Sequence, residues 1–350
     1  MKQTRRRRLV VILLVLAGGL IVSLFLASAF GVVTISLPDI LKMVLNKVAF
    51  IDFPSTWRMV DETIIFQIRL PRVIGGALIG AALATAGVLF QGLLRNPMAD
   101  PYIIGTSAGA ALGATIAMIL PINLIFLGFG LVPLAAFAGA LASVIIVYNL
   151  ARVGSRTPIV SMLLAGFVIS ALLAAIISFL MAMSERFNLN LHSVYAFLMG
   201  HVSVVGWWQI AVIGPLVIGG IIGGRFFAYH LNAFSLGEEG AAYLGIDVER
   251  DKMAILALGS LLTASAVSIG GLIGFVGLVM PHAMRLSLGP DHRLLLPASA
   301  LAGAAFVVIT DLLARIVLAP AEIPVGIITA VVGAPFFLYL LRRSRKEYAF

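Results

Sequence analysis

Long apolar runs, interrupted by short polar turns, recur along the whole chain. A helix needs about 20 mainly apolar residues to cross the hydrocarbon core of a bilayer, and without water its backbone amides must bond within the helix. On that rule the pattern predicts ten spans, at approximately Leu9 to Phe30, Val73 to Leu94, Ile103 to Leu120, Leu127 to Leu150, Val160 to Met183, Val205 to Gly224, Met253 to Ile269, Leu272 to Leu288, Leu294 to Leu318 and Val325 to Leu341. The predicted fold class is an all-α polytopic membrane protein, a single transmembrane domain over 1–350 with only loops and short surface helices outside the spans. Ten spans divide into halves of five, and an odd number per half makes any internal repeat inverted across the membrane. Gly75-Gly76 to Pro101 and Gly270-Gly271 to Pro290, each a small-residue helix running into a Pro-bearing turn, are a faint trace of such a repeat.

Composition agrees with this pattern. Apolar residues make up 61% and charged residues 11% of the chain, against about 45–50% and 25% in soluble domains. A soluble two-domain enzyme is excluded, because a protein of this size would lack the polar surface to stay dissolved. The absence of cysteine rules out disulfides, thiolate metal sites and a Cys nucleophile. The net charge of +9 raises the question of nucleic acid, but the basic residues lie where apolar runs end, as at Arg5 to Arg8 and Arg342 to Lys346, rather than in a basic and aromatic patch.

That placement sets orientation. With Met1 in the cytoplasm and sides alternating, the cytoplasmic breaks receive 17 of the 24 Lys and Arg residues. The outer side receives Lys42, Lys47, Arg58, Arg69, Arg72, Arg186 and Arg315, five of them in the loop before the second span. Both termini are therefore expected in the cytoplasm. Ala27-Ser28-Ala29 after a basic start resembles a secretory cleavage site, but an apolar run of about 22 residues exceeds the 7–15 of a signal core and predicts a retained anchor.

Few residues carry candidate chemistry. Glycines at small-xxx-small spacing, such as Gly76, Gly80 and Ala84, suit close helix packing in lipid. Asp311 is the one carboxylate well inside an apolar run, and Arg315 lies one turn on, which predicts an ion pair. So few buried carboxylates leave a proton-coupled carrier little machinery. His192, His201, His230, His282 and His292 form no metal-ligand spacing, and the breaks that hold His282 and His292 place both rings at the headgroups. No Gly precedes a Lys, so the chain has no P-loop. The most distinctive insertion is Arg225 to Lys252, within which Ser235 to Gly245 predicts a small capped surface helix. Exposed Phe234, Tyr243 and Leu244 beside Glu238 and Glu239 suit docking to a partner.

Several motifs together resemble, over nearly the full length, the permeases of type II bacterial ABC importers for ferric siderophores, haem and vitamin B12, the FecCD family with its BtuC-like fold. They are Arg69-Leu70-Pro71-Arg72, the run from Arg95-Asn96-Pro97-Met98 to Pro101, Gly105 to Ala110, Gly237 to Asp247, Gly274 to His282, Ala321-Glu322-Ile323-Pro324-Val325-Gly326 and Gly333-Ala334-Pro335. The resemblance implies ten spans, a homodimer in the inner membrane, two ATP-binding cassette ATPase subunits that use ATP and Mg, and a substrate-binding protein; this chain is expected to bind no cofactor or metal. It implies that Arg69, Arg72 and Arg315 dock the binding protein. Coupling helices within 233–247, through Gly237, Glu238, Glu239, Ala241, Tyr243, Leu244 and Gly245, would engage the ATPase. Asn96, Met98, Ile159 and Val160 would form a cytoplasmic gate, although the last two differ from the small hydroxyl residues of the vitamin B12 members. The reading is a permease for an iron chelate, ferric siderophore or haem, at the homodimer axis, with vitamin B12 as the alternative. The rivals from other classes are an ion-gradient-driven secondary carrier and a non-transporting membrane anchor.

Overall fold

The computed structural model describes residues 2–31, 33–48, 53–54, 57–154, 156–187 and 189–344. Met1, Arg345 and Lys346, used above for orientation, lie outside the described residues. In chain order the elements are α1 Lys2–Ala29, α2 Leu37–Val48, α3 Met59–Thr63, a π-helical stretch Ile64–Arg69, α4 Leu70–Leu93, α5 Thr106–Ile119, the hairpin strands β1 Ile125–Phe126 and β2 Phe129–Gly130, α6 Leu131–Ala151, α7 Ile159–Ala182, α8 Leu191–Met199, α9 Trp207–Phe226, α10 Ala228–Phe234, α11 Glu238–Tyr243, α12 Val248–Gly270, α13 Val276–Leu288, α14 His292–Ile316 and α15 Val325–Ser344.

The core is built around α4. Its residues from Ile79 to Leu93 are all buried, because α9, α12, α13 and α14 pack around it. Small residues make that possible. A Cβ added at Gly80 would lie 2.0 Å from the Gly303 carbonyl oxygen, and one added at Gly303 would lie 2.4 Å from that of Gly80, so α4 and α14 cross with their backbones in contact. In contrast α7 turns most of its length outward: Val160, Leu164, Phe167, Val168, Leu172 and Phe179 are exposed. Such an apolar surface faces lipid or another protein.

Several predicted spans need redrawing. The second begins much earlier, because α3, the π-helical stretch and α4 form one continuous helix, Met59–Leu93. Pro71 has no N–H to donate and its ring crowds the preceding turn, and the widened π turn just before it accommodates both. Arg69 and Arg72 therefore lie on a helix rather than in a loop. The predicted start at Leu127 is instead a hairpin turn, where Leu127 and Gly128 both have positive φ (51° and 79°), as a tight two-residue connection requires.

Among the described residues seven helices are long and apolar enough to cross a membrane on their own. The predicted third span reduces to α5, 14 residues, and the eighth to α13, 13 residues. Each is about 20 Å long at 1.5 Å per residue. The chain beside them is irregular backbone held inside the protein, and at membrane depth such backbone is tolerated only there or along a water-filled cavity. The residues after α12 show how: Leu272 N–H donates to the Phe197 carbonyl at 3.0 Å, His201 N–H to that of Gly270 at 2.8 Å and Val325 N–H to that of Gly200 at 2.9 Å.

Candidate functional site

The predicted docking arginines do converge. Arg69, Arg72 and Arg315 line one cavity of about 220 Å³ together with Gly31, Val33, Ile64, Ile68 and Glu322. Their availability differs. Arg69 is 7% and Arg315 6% exposed, and both cap the C-terminus of α1: Arg69 donates to the carbonyls of Ser28 (2.8 Å), Ala29 (3.0 Å) and Val33, and Arg315 to that of Ala27 (2.9 Å). The last carbonyls of a helix have no partner within it, and positive charge is favoured there.

Arg72 is held by carboxylates. It reaches Asp311 Oδ1 through Nε (3.1 Å) and Nη2 (2.9 Å), and Glu322 through Nη1 (2.9 Å) and Nη2 (2.8 Å). Asp311 also makes the pair with Arg315 that the sequence predicted, at 3.0 Å. Burial pushes the Glu322 carboxyl up, but the hydrogen bond and charge of Arg72 outweigh this and hold it below the ordinary value. Sequence reading missed Glu322 as the partner of Arg72. Its signal was a lone carboxylate between Asp311 and the C-terminal basic run, in a motif noted only for family likeness.

Arg95 lies beyond the opposite end of α4, about 35 Å away at 1.5 Å per residue, on the same side as the insertion. There α11 is bracketed by Gly237 (φ +96°) and Gly245 (φ +82°), conformations an L side chain rarely adopts. Leu236 (69%), Leu244 (55%) and above all Tyr243 (92%) are exposed, while Ala241 is sealed. Phe234, predicted exposed, is 3% exposed; it closes the core beneath α10, where its hydrophobic area belongs. Glu239 is exposed, but Glu238 is half-buried and bonded at 2.7 Å to Lys252 Nζ, so only one of the predicted pair is open to a partner.

The predicted gate residues lie in two stretches. Asn96 and Met98 are exposed in the turn after α4, where Asn96 Oδ1 accepts the Met98 N–H at 2.9 Å. Ile159 and Val160 open α7, with Ile159 partly on the core and Val160 68% exposed. His292 is 6% exposed rather than at the headgroups, because Asn232 Oδ1 holds both its Nδ1 (2.7 Å) and its backbone N–H (3.0 Å). Among the described residues no three or more His, Asp and Glu gather as a metal site.

The FecCD transport family matches residues 19–343. The chain is 47% identical over 281 residues to a cobalamin import system permease protein of Halobacterium salinarum, covering 80% of this chain and 74% of that one. It is 40% identical to a hemin transport system permease protein of Yersinia pestis, covering 80% and 84%, and 38% identical to an iron(III) dicitrate transport system permease protein of Escherichia coli, covering 81% and 86%. A solved structure described as an inward-facing metal-chelate type ABC transporter matches with a TM-score of 0.80 at 29% identity, covering 95% of this chain and 99% of that one. The chain belongs to the FecCD transport family and is an ABC importer permease, a membrane-embedded transport component and not an enzyme.

Proposed function

We propose that two copies of this chain form the translocation pathway of an importer for a bulky metal chelate, in the inner membrane with both termini in the cytoplasm. The iron chelates, ferric siderophore and haem, are the primary cargo of this reading, with cobalamin the alternative. The observation that carries the chelate class is the relatives' own naming: cobalamin, hemin and iron(III) dicitrate share a metal enclosed by a large ligand. With no group of three or more His, Asp and Glu gathered among the described residues, a metal crossing here keeps the ligands it arrives with. Ten crossings, two of them completed by irregular backbone, suit the short α5 and α13 beside the longer helices. The outward apolar face of α7 supports its place at the homodimer axis.

Arg72, backed by Arg69 and Arg315, is in this reading the docking point for acidic residues of a substrate-binding protein, with Glu322 holding the fork until the partner arrives. Charges around such an interface set orientation and on-rate. At the other end α11 enters a groove on the ATPase: Tyr243 and Leu244 supply apolar contact, Glu239 charge, and Gly237, Glu238, Ala241 and Gly245 the frame. ATP and Mg are used by that partner. Asn96, Met98, Ile159 and Val160 narrow the cytoplasmic end of the pathway.

The test is uptake by proteoliposomes that hold this chain, its co-expressed ATPase and its binding protein, supplied in turn with ferric siderophores, haem and cobalamin. ATP-dependent uptake of one chelate that needs all three components is the expected result. Uptake by this chain alone, driven by an ion gradient, would overturn it.

A further inference from the structure

Lys252 lies one turn into α12 and is 7% exposed. An ammonium this deep is destabilising unless its donors are used, and here all three are. Nζ donates to Glu238 Oε2 on α11 at 2.7 Å, to Glu249 Oε1 at 3.1 Å and to the Thr157 carbonyl at 3.4 Å. The other oxygen of Glu249 accepts the Thr157 N–H at 2.9 Å. Thr157, itself 4% exposed, thus has both backbone polar groups held by side chains of α12. Two residues later α7 begins, with Pro158 as its N-cap.

Three elements therefore meet on one ammonium: α11, the first turn of α12 and the entry to α7. The arms differ in what they can tolerate. Glu249 and Lys252 are neighbours on one helix turn and move together. Glu238 stands on a separate six-residue helix tied to its surroundings through Ala241 and this bond. A displacement of α11 pulls on the Lys252 side chain, and the same side chain holds the carbonyl that precedes α7. That helix has little of its length buried in the chain, so its entry is one of its few fixed points.

We propose that Lys252 is the positioning residue through which movement of α11 reaches the first turn of α7. The inference rests on the reading of α11 as the ATPase-docking element. It gives that reading a physical connection from the ATPase side to Ile159 and Val160, made of charge-assisted hydrogen bonds that are short and directional. Two arrangements of such a bond set, with different contacts in each, are what let a partner bias one state over the other.

The experiment uses the full transporter in proteoliposomes. The chain has no cysteine, so Val160→Cys gives one thiol per copy at the start of α7, labelled with an environment-sensitive fluorophore on the purified chain before its partners are added, while transport and ATP hydrolysis are read without this change. In the otherwise unchanged protein, ATP is expected to shift the label's emission. Lys252→Met is expected to keep the ATPase bound and hydrolysing within about twofold of the parent, to abolish the ATP-dependent shift and to lower transport per ATP at least tenfold. Lys252→Arg, which keeps the charge and can span the same acceptors, should restore the shift. Should Lys252→Met fail to fold, Glu249→Ala removes the acceptor of the Thr157 N–H at a half-exposed position and should also lose the shift.

The inference is overturned if Lys252→Met or Glu249→Ala retains the label shift and a transport-to-ATP ratio within twofold of the parent. It is equally overturned if folded Lys252→Met releases the ATPase, which would make the residue part of docking. The docking reading is tested separately by Tyr243→Asp with Leu244→Asp. Unchanged ATPase co-purification in that variant overturns docking through α11 while leaving the Lys252 result to stand on the label.

Discussion

Asp311→Asn should destabilise the protein far more than Glu322→Gln, although both remove a carboxylate bonded to Arg72. The Asp311 side chain is 2% exposed and neutralises two guanidinium groups, Arg72 at 2.9 Å and Arg315 at 3.0 Å. Without its charge Arg315, 6% exposed, keeps only carbonyl acceptors. Removing one partner of a buried ion pair costs about 3–5 kcal/mol, and about 3 is appropriate here because Arg72 retains Glu322. Glu322 is 34% exposed at its side chain, where a pair contributes about 0–1 kcal/mol. Unfolding entropy of about 2.1 cal/mol/K per residue, taken over 350 residues, turns these into melting-temperature losses of roughly 4 °C and 1 °C. The assay is thermal unfolding of the detergent-solubilised protein followed by intrinsic fluorescence, at one pH and one detergent concentration. A double variant, Asp311→Leu with Arg315→Leu, should recover part of the loss, since replacing a whole buried pair by apolar groups is often neutral. A loss for Asp311→Asn no larger than for Glu322→Gln would refute the idea that burial ranks these two carboxylates.

Gly87→Ala should lower folded yield and melting temperature, because its Cβ would lie 1.9 Å from the Gly277 carbonyl oxygen and overpacking costs about 1–3 kcal/mol; Gly18→Ala, with nothing within 4 Å, should be silent in the same assay. Burial pushes the Asp100 carboxyl up to about 6, so the folded state binds its proton more tightly than the unfolded chain and stability falls as pH rises from about 4 to 6. Asp100→Asn, which keeps an acceptor for the Tyr102 N–H, should flatten that slope in melts taken across pH. Arg72→Ala should weaken binding-protein docking most at low salt, where screening is least, and equal docking by mutant and parent across a salt series would count against Arg72 as the contact.

Legibility in the sequence followed the reach of each interaction. Apolar runs coincide with α7, α9 and α14 to within about two residues and with α1, α6 and α12 to within about seven, because length and hydropathy alone decide whether such a helix suits lipid. The same rule began the helix that holds α4 at Val73 rather than Met59, and it ran the spans of α5 and α13 back into irregular segments whose partners are distant in sequence: Tyr102 Oη donates to the Ile273 carbonyl at 3.0 Å, and Leu272 N–H to that of Phe197 at 3.0 Å. Periodicity carries no trace of such bonds.

Charge behaved the same way. Asp311 and Arg315, four apart on one helix, could be paired from spacing. Arg72 with Asp311 and Glu322, or Lys252 with Glu238 and Thr157, join residues separated by up to 250 positions, and no local pattern marks them. The family resemblance implied three outward contacts, of which spacing set only Arg315 apart through Asp311, whereas Arg69 and Arg315 are both used on the carbonyls that end α1. On the docking reading proposed above, an acidic partner would meet Arg72 with Glu322 already bonded to it at 2.8 and 2.9 Å, and it would gain only the difference between its own bond and that one.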